Sequence, residues 1–127
     1  MSKAYDVMAA SCPSRTVLHR IGARWTIFVI TALADQGGPM RFTELKRYIQ
    51  GITPKVLTET LRALETDGLV LRVDHGDNPP HVDYALTELG QSLRAPLAAV
   101  REWAETHVPD ILESQQRAAG SAAGTHH

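Results

Sequence analysis

Behind the pair Thr53-Pro54, the side chains Lys55, Thr58, Glu59 and Arg62 recur at spacings of three and four. On a helix they share one face, while Val56 or Leu57, then Leu61 and Leu64, occupy the other. With Thr53 that face offers two hydroxyls, a carboxylate and two cations. Hydroxyls and glutamate suit the donor and acceptor edges of bases, and lysine suits phosphate. The alternative is an ordinary solvated face of a surface helix, which is usually polar.

The charge distribution favours a polyanion near this face. The whole chain carries a formal charge of -1, but residues 1–62 hold nine Lys/Arg against four Asp/Glu and residues 63–127 hold four against ten. Between positions 41 and 62, five cations (Arg41, Lys46, Arg47, Lys55, Arg62) face the two anions Glu44 and Glu59. A local excess of this kind is the electrostatic footprint expected of a nucleic-acid surface.

Two other groups could carry chemistry. Cys12 is the only cysteine, so an intramolecular disulfide or a multi-cysteine zinc site is excluded. Preceding Pro13 at a helix start, and near Arg15, its thiol sits where helix amides favour the thiolate and therefore oxidation. The competing reading is a small residue packed against Trp25 or against a partner's last helix. His75, Asp77, His81 and Asp83 are metal-ligating types, but their spacing matches no standard metal motif, and no metal or other cofactor is expected. Phosphate-cradling glycine loops, Gly-x-Ser-x-Gly, His-Glu-x-x-His and paired buried carboxylates are all missing from the sequence, so no enzyme is expected. His126 and His127 could be remnants of a tag and are left out of site reasoning.

A chain of 127 residues with 43% hydrophobic and 21% charged residues fits one soluble globular domain. Its longest apolar stretch, residues 25–34, is too short to span a membrane, and residues 1–10 contain no secretion-signal core. The expectation is a cytoplasmic protein with no membrane partner.

The elements that must position these side chains follow from punctuation and periodicity. Pro13 opens a helix whose stripe is Val17, Leu18 and Ile21, and a second, largely apolar helix runs from about residue 24 or 25 to Gly37-Gly38-Pro39. Met40-Arg41-Phe42 is too short to be more than an extended link. Thr43 then caps a short helix that turns Leu45, Tyr48 and Ile49 inward and leaves Lys46 and Arg47 outside. Gly51 closes it, and Thr53-Pro54 starts the basic amphipathic helix, which Gly68 ends. Residues 69–73 and 82–86 form a hairpin with a long polar tip. Thr87 caps a last helix carrying Leu89, Leu93, Leu97, Val100 and Trp103, bent or broken by Pro96 near Arg94. This order defines a mostly helical α+β fold, a winged helix-turn-helix domain with a two-stranded wing. It divides the chain into an N-terminal arm (1–11), the domain with its flanking helices (12–108) and a flexible tail (109–127).

A set of motifs narrows the reading. Cys12-Pro13, Ile21-Gly22-Ala23-Arg24-Trp25-Thr26, Arg41-Phe42-Thr43-Glu44-Leu45, Gly51-Ile52-Thr53-Pro54-Lys55-Val56-Leu57-Thr58, Leu61-Arg62-Ala63-Leu64-Glu65, Asp67-Gly68-Leu69-Val70 and Tyr84-Ala85-Leu86-Thr87-Glu88-Leu89-Gly90 stand in order across residues 12 to 107. Together they resemble the HxlR-type family of bacterial winged-helix transcriptional regulators. The last string is common to several winged-helix families, whereas the first blocks are specific in combination.

The resemblance implies a homodimer on an inverted-repeat operator in double-stranded DNA, usually a repressor. It implies an interface through the first and last helices, here Val17, Leu18, Leu93, Leu97, Val100 and Trp103. DNA contacts then fall on Arg41, Thr43, Lys46, Thr53, Lys55, Thr58, Glu59 and Arg62, with Asn78 and His81 in the wing. Some members sense electrophiles or oxidants through a cysteine at the position of Cys12. Two departures stand out: Arg24 replaces the usual lysine before the tryptophan, and His81 stands where an arginine is frequent, which weakens the expected minor-groove grip unless His81 is protonated. The rival from another class is a winged-helix module that binds protein through its acidic second half, with no need of the basic face.

Overall fold

The structure, a computed structural model, describes residues 5–76, 79 and 81–124. Two compact units divide it, residues 1–94 and 95–127. The first contains helices α1 (Pro13–Ile21), α2 (Thr26–Gln36), α3 (Phe42–Tyr48), α4 (Pro54–Thr66) and α5 (Glu88–Gln91), with strands β1 (Met40–Arg41), β2 (Val70–Asp74) and β3 (Val82–Leu86). The long helix α6 (Arg94–Gly124) begins at the last residue of the first unit, and its remainder makes up the described part of the second.

The core of the first unit forms around α2. Val29, Ile30, Ala32 and Leu33 are buried there, as are Leu57, Leu61 and Leu64 of α4 and Leu45 of α3. α2 packs on α4 and on β3, and α4 on β2. Each buried leucine contributes about 2 kcal/mol of transfer free energy. The inward face of α4 is thereby fixed, and the direction of its outward face with it. Gly37 ends α2 with φ 69°, a left-handed conformation that a side chain would oppose.

Three antiparallel strands form the sheet, in the order β1-β3-β2. The hairpin lies where periodicity puts it, with Val70 opposite Leu86 and Asp74 opposite Val82. The wing is nevertheless larger than the expected two strands. Met40 and Arg41 pair with Tyr84 and Asp83, because even two extended residues satisfy backbone groups that the open edge of β3 would leave unpaired. Thr87 fastens the far end of the hairpin: its Oγ1 donates to the Gly68 carbonyl at 2.6 Å and accepts from the Gly90 N–H at 3.0 Å.

Other local expectations need correction. α1 has no buried residue, and its predicted inward stripe is open, with Val17 and Leu18 each 54% exposed. Tyr48 is also exposed rather than inward, because its hydroxyl donates to the Asp35 carboxylate at 3.1 Å. The last helix does break near Arg94, and Pro96 sits in the first turn of α6, where its missing N–H costs nothing. Within the tail read from residue 109 onward, α6 continues through Pro109 to Gly124. Residues 110–119 are rich in strong helix formers, and Glu113 and Arg117 form an i,i+4 pair at 3.8 Å.

Candidate nucleic-acid interface

The helix expected to carry the reading face starts where its sequence directs. Thr53 has extended backbone angles, and its Oγ1 accepts the Val56 N–H at 3.2 Å, with Pro54 at the first helical position. The threonine oxygen is thus engaged in capping, and its proton is what remains for an outside acceptor. Lys55, Glu59 and Arg62 are exposed and Thr58 is half-buried, while Leu57, Leu61 and Leu64 face the core.

The preceding helix presents Thr43 and Lys46 to solvent. At its start the Arg41 backbone N–H donates to Glu44 Oε1 at 2.9 Å, and Arg41 is exposed at the end of β1. α3, the turn through Gly51 and α4 thus supply seven of the predicted contact residues on a helix-turn-helix, and β1 adds Arg41. Asn78, and with it Asp77, falls outside the described residues.

In the wing, His81 is half-buried and engaged. Its Nε2 lies 2.9 Å from Asp83 Oδ1, and His75 Nε2 lies 2.9 Å from Asp83 Oδ2. The bond from His81, and next the bond from His75, hold the Asp83 carboxyl below the usual carboxylate range. The two imidazoles are also in contact, with ring centroids 4.5 Å apart. Spacing alone gave this trio little weight. The signal that finds it is register, since His75 and His81 flank the hairpin tip symmetrically.

Cys12 is the N-cap of α1 and half-buried. Its Sγ is 3.0 Å from Ser14 Oγ and accepts the Asp6 N–H at 3.2 Å. These contacts, the Ser14 hydroxyl first, lower the thiol pKa. The expected help from the Arg15 side chain is not what the structure provides: that guanidinium reaches the Met8 carbonyl at 3.5 Å. The arm therefore folds over the thiol through residues 6 to 9, a feature no sequence pattern announced. Val7, Met8, Arg15, Leu18, His19 and Gly22 line a cavity of about 340 Å³ between the arm and α1, and Cys12 is not among its lining residues.

Of the expected interface residues, Val100 and Trp103 on α6 are 55% and 57% exposed, and Val17 and Leu18 on α1 are open as well. Leu93 is half-buried and Leu97 buried. Exposed Val108, Ile111 and Leu112 continue an apolar stripe along α6. Among the described residues no single helix is long and apolar enough to cross a membrane.

Comparison with known proteins agrees with this geometry. A family model described as an HxlR-like helix-turn-helix matches residues 20–111. The HTH-type transcriptional regulator YtfH of Escherichia coli (strain K12) is 39% identical over 107 residues, covering 84% of this chain and 83% of that protein. Among solved structures, the transcriptional regulator ytfH from Salmonella typhimurium superposes with a TM-score of 0.80 at 38% identity, covering 88% of this chain and 98% of that one. The redox regulator HypR in its reduced form gives 0.70 at 38% identity over 80% of this chain and 98% of that one.

Proposed function

The chain belongs to the HxlR-like helix-turn-helix family of transcriptional regulators, and from that membership we propose that it is a homodimeric repressor of an inverted-repeat operator. The observation that carries the reading is the outward face of α4, with Lys55, Glu59 and Arg62 exposed on a helix whose other side is locked into the core. The major groove, about 12 Å wide, admits such a helix and displays base-specific donors and acceptors. Arg62 contacts guanine or phosphate, Lys55 contacts phosphate, and Glu59 with the two threonines reads base edges. Arg41, Thr43 and Lys46 hold the flanking backbone, and His81 contacts the adjacent groove.

Support for a dimer comes from the open apolar residues Val17 and Leu18 on α1 and Val100 and Trp103 on α6. Large exposed apolar side chains in series mark a protein interface. Two-fold symmetry places the two reading helices about 34 Å apart, one turn of DNA. Work on DNA places the protein in the cytoplasm.

The signal in this reading is a small oxidant or electrophile that reacts with Cys12. Its lowered thiol pKa and the likeness to a redox regulator support this role. Footprinting on the DNA upstream of its own gene, with and without diamide, tests the proposal. Two protected half-sites one turn apart that vanish with diamide, but persist in Cys12→Ser, are expected. Protection unaffected by diamide rejects the thiol signal. Absence of protection on any DNA rejects the operator and favours a protein partner.

A further inference from the structure

We propose that His75, His81 and Asp83 form a binding site for one divalent transition-metal ion of the zinc class, at the root of the wing tip. The placement follows from strand geometry. Asp74 pairs with Val82, so His75 and His81 are the next opposed pair, and the His75 N–H donates to the His81 carbonyl at 2.8 Å. Asp83 lies two residues beyond His81 on the same strand and therefore on the same face. Directly opposed and diagonal neighbours on one face of a hairpin come within side-chain reach. One ligand atom from each of the three residues lies within 4.8 Å of the others.

The donor set is two imidazoles and a carboxylate, a combination that suits zinc and its neighbours better than calcium or magnesium, which favour all-oxygen shells. Tetrahedral bonds of about 2.0–2.2 Å separate neighbouring donors by roughly 3.3 Å. The two Nε2–carboxylate contacts are 2.9 Å each, to different oxygens, and the three donors lie within 4.8 Å of one another. Loading the site therefore needs shifts of up to roughly 1.5 Å in side chains that are exposed or half-buried. The ion takes the place of any Nε2 proton, which passes through solvent to Nδ1, so each imidazole stays neutral. Three protein ligands leave the fourth position to water.

Such an ion cross-links the strands where the tip begins and changes the charge of the trio from -1 to +1. Arg41, the register partner of Asp83 on its other side, opposes the cation and lowers the affinity. A positive wing would favour phosphate, a consequence that rests on the proposed DNA binding. The site itself is tested without DNA, so the two ideas fail separately.

The test is calorimetric titration of zinc into the full chain carrying His126→Ala and His127→Ala, with NMR of the histidine ring protons in parallel. One ion per chain is expected, with ring signals of His75 and His81 shifting while those of His19 and His107 stay put. His81→Ala and His75→Ala should each weaken binding roughly tenfold or more. Unshifted His75 and His81 rings at saturating zinc overturn the proposal, even if the variants lose their hairpin. Undiminished affinity in both variants relative to the parent chain, or no stoichiometric binding, also overturns it.

Discussion

Arg20 Nη1 lies 3.2 Å from Asp67 Oδ2, which joins the last turn of α1 to the residue that caps the end of α4. Cys12 caps the opposite end of α1. The first helix thus bridges the thiol and the helix with the reading face. Both partners are about a third exposed, at 33% and 32%. Asp67→Ala should therefore cost only about 0.5 kcal/mol, read by urea unfolding, and the loss should shrink in high salt.

Gly90 makes a larger demand. It is buried in α5, and a Cβ there would collide with the Leu69 backbone oxygen and crowd the Leu86 side chain. That carbonyl accepts the Thr87 N–H at 3.1 Å, and a backbone atom so held cannot yield as a flexible side chain can. Gly90→Ala should cost about 3 kcal/mol, seen as a lower midpoint in the same urea titration. Wild-type stability would refute this packing.

The Cys12 thiol owes its lowered pKa first to the Ser14 hydroxyl. The midpoint of its alkylation rate against pH should lie below that of an unperturbed cysteine, near 8.5. Ser14→Ala should move that midpoint upward and slow alkylation at pH 7. An unchanged profile would show that Ser14 does not tune the thiol.

Asp83 predicts an acid limb. Its pKa is depressed in the folded protein by the bonds from His81 and His75, so the folded state binds fewer protons than the unfolded one as pH falls. The contribution is present above an unfolded carboxyl pKa of about 3.9 and is lost as pH drops through the lower folded value. Thermal melts between pH 5 and 2 should show a smaller acid-induced decline in Asp83→Asn than in wild type.

Much of this arrangement was legible in the sequence, and the misses share a cause. Thr53-Pro54, Leu57, Leu61 and Leu64 fixed the start and inner face of α4, because capping and periodicity are local. The pairing of Met40 and Arg41 with β3 was not legible, since two residues carry no period and their partners lie more than forty positions away. Tyr48 looked like a core residue until Asp35 supplied its hydrogen-bond partner. The helix beyond Pro109 was hidden by the proline and by a composition that resembles a disordered tail, although its glutamate, glutamine, arginine and alanine residues all favour helix. For the His75–His81–Asp83 trio, residue types were visible but their convergence required the hairpin register.

The central claim is that the exposed face of α4 grips DNA. It is tested most directly by fluorescence titration of the protein against DNA upstream of its own gene and against a shuffled duplex, at 50 and 200 mM salt, for wild type and Lys55→Ala/Arg62→Ala. The account predicts preference for the upstream DNA, steep weakening with salt, and in the variant both lower affinity and a shallower salt slope, by about one for each phosphate no longer neutralised. Equal affinity and slope in the variant, or binding indifferent to salt, would contradict it.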